Sequence, residues 1–461
     1  MTATSDPDAS TAGAAAATTT PVELRSWRMG IGPRLAASFL LIVFFDRLAV
    51  RTLVVGGLVP SLAGVALGAI LAYVLLFGPA SRLGWRSRRG LFDLAEGAFG
   101  TTGARRIVTP AVALVHASWF AVALYAGVDL SLRALASAGL IEAEALNPSR
   151  LLGWPCPGGV FQASVVAWIV PAAILGPMLV HLVAAVLFLY PIFSIAALLT
   201  ALAWVSGDLG AAFSFDVPES GSEGIGQAFG NAAQHVFGFA AAAGLAAADW
   251  GAASRSGRDV KIGGRLGVMA AAIAVAAVAL ATIAAVLARP DLRLRPIYSD
   301  VLIVRIGGIA GGVLALIHST ALLGPCCYAP TGFLAAVRRA WAEAPRRVPT
   351  LLLFVASWPL VASGVAARHE LIFPMIGAVV APLLGVIVVR GDRPSRSGID
   401  RGAVASWLAG WASGVALLFV GGAPGPWPGP VAGFAAAALL ARLLRPTDRA
   451  SVASTDINPS S

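Results

Sequence analysis

The sequence predicts an all-α integral membrane protein of about twelve spanning helices, and three observations carry that prediction. Of the 461 residues, 58% are hydrophobic and only 12% charged, against about 25% charged in soluble domains. The mean hydropathy is +0.81. Apolar runs of roughly 20 residues, the length that crosses about 30 Å of hydrocarbon, follow one another with arginine clusters between them. A soluble chain has no interior large enough to hide so much apolar surface, which disfavours a soluble enzyme, a nucleic-acid-binding module and a disordered scaffold. The net charge of +10 comes almost wholly from arginine, Lys261 being the lone lysine. It reads as positive-inside topology rather than as a nucleic-acid surface.

Taken in order, residues 1–30 read as a disordered cytoplasmic tail, polar over 1–24 and without the apolar core or cleavage site of a signal peptide. The first span is placed at 35–57. Arg25, Arg28 and Arg34 set its start inside, and the arginine-rich stretch 80–106 is cytoplasmic again, so two crossings, 35–57 and 60–78, must fit between them. The first then carries Asp46, Arg47 and Arg51. Asp46 lies roughly 16 Å from the cytoplasmic end, at a cost of at least about 2.5–3.5 kcal/mol unless it faces a cavity. Adjacent charges serve one ligand only if the helix is broken there, so an unwound segment is expected at 46–51. The alternative is an interfacial helix at 35–45 followed by one long span at 52–78, which breaks the parity of the loop charges.

Further spans are expected at 109–136, two within 161–206 (broken near His181 or Tyr190-Pro191), then 226–248, 263–288, 301–323, 349–366, 371–389, 403–421 and 427–444. Loops near Arg255–Arg265, Arg338–Arg347 and Arg390–Arg401 are basic, and the alternate loops acidic or neutral, except that Arg289, Arg293 and Arg295 fall outside. This places both termini in the cytoplasm and the protein in the inner or plasma membrane. The glycines at 230, 238 and 244 either interrupt the sixth span or pack it closely. Gln227, Asn231, Gln234 and His235 share a helical face of that span, as vestibule lining or interhelical glue. Asp249 at its end reads as a cytoplasmic gate, a loop salt bridge, or a solvated residue. Three cysteines make no disulfide framework, and no metal-ligand spacing occurs.

Four segments, in order along residues 35–390, resemble the purine/cytosine permease and hydantoin transporter family of nucleobase–cation symporters: LAEGAFGTTGARR (94–106), ASWFAVALYAG (117–127), GFAAAAGLAAADW (238–250) and FPMIGAVVAPLLGVIVV (373–389). The resemblance implies a leucine-transporter-like fold. Its two inverted five-helix repeats would be residues 31–206 and 207–390, followed by two further helices (391–446) and a cytoplasmic tail (447–461). It implies a solute site at midplane in which Trp119 stacks on a flat heterocycle, with an aromatic expected two residues after Gly238 on the sixth span, where this chain departs with Ala240, though Phe239 adjoins it. It also implies a cation site made by span 1 carbonyls near Leu41 and Phe44 and by Ser319 and Thr320. Sodium or a proton would be the coupling ion, and no other cofactor or metal is implied.

The chain departs from the family pattern where polar partners of a nucleobase are expected, carrying Ala123 and Pro325. Asp46 and Arg47 are read as their substitute. His318 is either a proton-coupling group or a histidine satisfied by its helix. The expected function is a secondary transporter of a nucleobase-like or related small heterocyclic solute, coupled to a cation, with lipid as its surroundings. The alternatives are a same-fold transporter of an amino acid or organic acid, with Arg47 holding its carboxylate, and a non-transporting membrane sensor or interaction protein. No nucleophile, metal cluster or carboxylate pair converges, so an enzyme is not expected.

Overall fold

A computed structural model describes residues 24–28, 42–142, 146, 148–151, 154–167, 195–213, 215, 222–289, 298–321, 323–341, 343–345, 347–419 and 429–444. These form α1 (Ile42–Gly56), α2 (Leu58–Ser87), α3 (Leu91–Phe99), α4 (Thr101–Ser137), a hairpin of β1 (Ser149–Leu151) and β2 (Trp154–Cys156), α5 (159–167), α6 (Ile195–Trp204), α7 (Leu209–Phe213), α8 (Ser222–Ala252), α9 (Gly257–Leu287), α10 (298–306), α11 (Gly308–Ala321), α12 (Leu323–Ala340), α13 (Arg347–Ala362), α14 (His369–Arg390), α15 (Arg401–Phe419) and α16 (Gly429–Leu443). Five of these, α2, α4, α9, α14 and α15, are long and apolar enough to cross a membrane. Large apolar residues such as Val59, Leu114, Ile309 and Leu351 point outward, while alanines and glycines fill the helix contacts. That inversion is what lipid as solvent permits, since helices without a hydrophobic drive between them associate through small residues.

Several boundaries differ from expectation. The opening helix α1 runs unbroken through Asp46, Arg47 and Arg51 to Gly56, so the unwound segment expected at 46–51 is absent. The chain turns instead at Gly57 (φ 83°) directly into α2, which continues to Ser87. The basic stretch 80–106 is mostly helical, and among its arginines Arg88 and Arg89 bond carbonyls at the ends of other helices. Arg88 donates to the Ala252 and Ser254 carbonyls at 2.9 and 2.6 Å, and Arg89 to those of Gly391 and Arg393 at 3.2 and 3.1 Å. The span expected at 301–323 is divided at Gly307-Gly308 into α10 and α11, and helix resumes in α12 to Ala340. Residues 24–28 of the expected tail are tied down. Arg25 exchanges backbone bonds with Ala253 and Arg255, and Trp27 N donates to Asp259. The break expected within 161–206 lies outside the described residues.

The sixth expected span, α8, is one continuous helix of 31 residues. Its glycines serve approach rather than interruption. A Cβ at Gly238 would run into the Phe373 carbonyl of α14, and along α2 the glycines at 64 and 68 face the Phe229 and Ala233 carbonyls. Gly226, on the same helix, has open space around it. Gly238→Leu is therefore expected to lower the unfolding midpoint of the purified protein, at a cost of about 1–3 kcal/mol or more. Gly226→Leu should leave it nearly unchanged.

Two packed groups frame the site. In the first, α1, α8 and α9 lie against α2, and α8 also lies against α14, which packs with α15 and α16. In the second, one face of α4 packs on α5, α12 and α13 around Phe120, Leu124, Phe161, Phe333 and Leu353. The opposite face of α4, with Trp119 and Val122, belongs to the core shared with the first group.

Local irregularities recur along the chain. Both α2 and α9 contain a π-helical turn, at Ala72–Phe77 and Arg265–Ala270, and these two turns pack together. Each is the second helix of an expected repeat. A short helix with Asp at its third position and glycine at its tenth then leads into the next long helix: LFDLAEGAFG (91–100) before α4, and YSDVLIVRIG (298–307) before α11. Both glycines have positive φ, 77° at Gly100 and 69° at Gly307, a conformation that other residues rarely adopt.

Candidate functional site

The middles of α4 and α8 meet the first turns of α14 around an aromatic cluster. Trp119 of α4 lies 4.8 Å from Phe239 of α8 and 5.6 Å from Phe373 of α14, ring centroid to centroid, and Phe239 and Phe373 are 5.0 Å apart. The Gly238–Phe373 backbone contact is what brings α8 and α14 close enough for this. Trp119 is only 7% exposed, yet its indole N–H has no hydrogen-bond partner among the described residues. Buried donors are ordinarily satisfied, so an orphan at the junction of two helix groups is a place for an acceptor from outside. Phe373 was not singled out from sequence; its place opening the fourth quoted segment, with Pro374 after it, was the available signal.

On the other side of Phe373 lies a small polar cavity of ≈ 20 Å³, room for about one water. Gln227, Asn231, Gln234 and His235 line it, facing Leu48 and Arg51 of α1 and Glu370 and Pro374 of α14. The face singled out in sequence thus lines a cavity and also ties helices, since Asn231 donates to the Arg51 carbonyl at 3.1 Å. Arg51 stands 3.8 Å from Glu370.

Asp46 takes a different role from the one expected. Its two carboxylate oxygens accept from the backbone N–H and the hydroxyl of Ser299, at 3.0 and 2.9 Å, capping the start of α10. A carboxylate at a helix N-terminus meets unsatisfied N–H groups and the positive end of the dipole. That is why α1 need not unwind there. Asp300, the next residue of α10, pairs with Arg133 of α4 at 3.5 Å, and Arg133 pairs with Asp129 at 3.0 Å. Asp46 and Arg133 thus hold α10 between the first helix group and the second.

The arginine-rich end carries a matching arrangement. Asp249 of α8 accepts the Leu91 N–H at 3.0 Å, capping the start of α3, and makes no loop salt bridge with Arg255 or Arg258. Asp93, third in α3, pairs with Arg339 of α12 at 2.9 Å, and Arg339 also reaches Glu96 at 2.6 Å. One helix group contributes an aspartate, the other an arginine, and a short helix lies between them at each end. Ser299, Asp300, Arg133, Asp93 and Arg339 were missed in sequence. The shared spacing of Asp and Gly in the two short helices was the signal for Asp93 and Asp300; no local pattern points to Arg133 or Arg339.

The remaining site expectations divide. Ser319 is buried and its hydroxyl donates to the Leu316 carbonyl at 2.8 Å, which leaves its oxygen lone pairs unspent. His318 beside it is 1% exposed and packs edge-on against Tyr298 at 5.5 Å. Neither of its nitrogens has a hydrogen-bond partner among the described residues, so it is not satisfied by its helix. Ala123 does not face the aromatic cluster; it packs in the second group's core with Phe161, Ala329 and Phe333. Ala240 is buried in the shared core. Leu41 and the side chains of Phe44, Arg47, Thr320 and Pro325 lie outside the described residues; Pro325 falls in the first turn of α12, where its missing N–H costs nothing. Arg289, an exception to the charge rule, pairs with Asp208 at 2.8 Å, and Arg305 with the same carboxylate at 3.5 Å.

No family model and no curated protein matches the chain. Solved structures do. One described as an inward-facing conformation of Mhp1 superposes with a TM-score of 0.64 at 14% identity, covering 91% of this chain and 92% of that one. The chain folds as Mhp1 does. A second, described as Mhp1, a nucleobase-cation-symport-1 family transporter, in a closed conformation with bromovinylhydantoin bound, gives 0.64 at 15% identity over 92% of each chain. The leucine-transporter-like, all-α membrane fold implied by the resemblance is therefore the fold of this protein. The shared architecture accounts for the two arrangements at opposite ends, since inverted repeats place equivalent elements on opposite faces of a membrane.

Proposed function

We propose that the chain is a cation-coupled secondary transporter working by alternating access, a divergent member of the nucleobase–cation symporter family in the cell membrane. Its solute would be a small heterocycle of the nucleobase or hydantoin kind. The paired latches are the observation that carries this reading. Asp46–α10–Arg133 closes the path on what loop charge makes the outer face, and Asp249–α3–Arg339 closes it on the cytoplasmic face. A carrier needs two such closures that open in alternation, whereas a sensor or an adhesion surface needs neither. The π-helical turns of α2 and α9 are the local weak points about which the first helix group can bend.

The aromatic cluster supports the solute class. Trp119 offers a π-face and an unclaimed N–H, Phe239 and Phe373 offer two more rings, and no charged side chain takes part. The rings carry no other polar group, so selection rests on ring shape, stacking and that one N–H. For the coupling ion, Ser319 would contribute its hydroxyl oxygen, a hard donor suited to sodium, and His318 is placed to carry a proton in its stead.

Purified protein in sealed liposomes tests this. Uptake of labelled uracil, cytosine or a hydantoin is expected when a sodium or proton gradient is imposed, and only one gradient should drive it. Trp119→Ala should weaken solute binding roughly ten- to a hundredfold, the worth of about 1–3 kcal/mol of stacking. Competition by carboxylates alone would select the organic-acid carrier. Solute binding without concentrative uptake under either gradient would select the sensor.

A further inference from the structure

We infer that the cleft between α4, α14 and α15 is a binding site for one acyl chain of an anionic phospholipid, with its headgroup on Arg106. The cleft has a volume of ≈ 620 Å³ and opens to the outside of the helix bundle. Its walls are apolar: Pro110 and Leu114 on α4, Met375 and Val379 on α14, Trp407 and Trp411 on α15. From Arg106 to Ser118 it follows α4 for about 18 Å, comparable to half the ~30 Å of hydrocarbon, which is the depth of one leaflet. A hydrophilic ligand has no reason to enter a cleft with apolar walls on the lipid-facing side of a bundle, and an acyl chain matches it in length and chemistry.

The charge at its mouth selects the headgroup. Arg106 is exposed and makes no ion pair or hydrogen bond with the described residues. Its neighbours are committed elsewhere: Arg105 donates to the Ala340 carbonyl, and the nearby acids Asp93 and Glu96 are held by Arg339. No acidic residue lines the cleft. An uncompensated guanidinium at the entrance of an apolar slot suits a phosphodiester carrying net negative charge, which it engages through paired N–H donors. The Trp407 indole N–H is already given to the Val379 carbonyl at 3.2 Å, so the slot offers a lipid chain no competing polar group there. This site is separate from the aromatic cluster and does not depend on what the protein carries.

The full chain, purified in detergent, is melted with added dioleoylphosphatidylglycerol or dioleoylphosphatidylcholine, and the lipid it retains is read by native mass spectrometry. Phosphatidylglycerol is expected to raise the midpoint by several degrees more than phosphatidylcholine and to be retained as one molecule per chain. Arg106→Ala should reduce the phosphatidylglycerol shift to that of phosphatidylcholine. Ala111→Phe, which fills the slot and leaves the arginine, should abolish retention of both. Equal shifts for the two lipids in the native chain, undiminished discrimination in Arg106→Ala, or undiminished retention in Ala111→Phe would each overturn the proposal.

Discussion

Replacing Asp46 with alanine is expected to shift the protein toward a state open on the outer face and to slow uptake without reducing its yield in the membrane. The substitution strips two acceptors from the start of α10, leaving the Ser299 N–H and hydroxyl without their partner. Hydrogen bonds to a charged acceptor contribute about 1.5–3 kcal/mol each. Water that enters the opened vestibule recovers part of that loss for the open state but not for the closed one. A difference of one or two kcal/mol moves the closed–open equilibrium by about 5- to 30-fold. Gln234, 5% exposed in the outer cavity, is a suitable reporter. As a single cysteine, in a background lacking Cys156, Cys326 and Cys327, it should react faster with a membrane-impermeant maleimide once Asp46 is gone. Unchanged reactivity would mean that the α10 contact is scaffolding and not a closure.

Asp46 also shows how far the sequence can be read. Loop-charge parity alone placed this carboxylate inside the first span, and the structure keeps it in the helix bundle. Parity could say that the charge needs a partner but not which one, because Ser299 lies 253 residues away and no local pattern links them. The expectation of a broken helix followed from assuming that Asp46 and Arg47 serve one ligand. Once a distant helix N-terminus is available to the acid, the helix can continue. The same limit explains Trp119 and Phe373. The tryptophan stands in a resemblance motif and could be singled out, whereas the ring that meets it at 5.6 Å becomes visible only when Gly238 lets α8 and α14 touch. The stretch 80–106 shows a related limit. Arginine is legible as polar, but not whether its donors will face water or the open carbonyls of another helix end.

Asp249→Ala should act in the opposite direction. It removes the single bond that Asp249 makes to the Leu91 N–H at the start of α3, and the Gln234→Cys reporter should then react more slowly than in the parent, because population moves to the state open on the cytoplasmic face. The effect should be smaller than that of Asp46→Ala. Asp249 is exposed and accepts one bond where Asp46 accepts two, which makes about 0.5–1.5 kcal/mol the fitting scale. Its companion Arg339–Asp93 is a surface pair, 42% and 50% exposed, and adds at most about 1 kcal/mol. Arg339→Ala should therefore follow Asp249→Ala in sign with a weaker shift. The double variant Asp46→Ala/Asp249→Ala decides the matter. If the two aspartates bias one equilibrium from opposite ends, their shifts partly cancel and the reporter returns toward the parent rate, even though two stabilising contacts have been lost. If each merely loosens its own end of the fold, the double variant keeps the full Asp46→Ala acceleration and simply unfolds at a lower temperature. Reactivity near the parent value in a protein less stable than either single variant is the result that alternating closure requires.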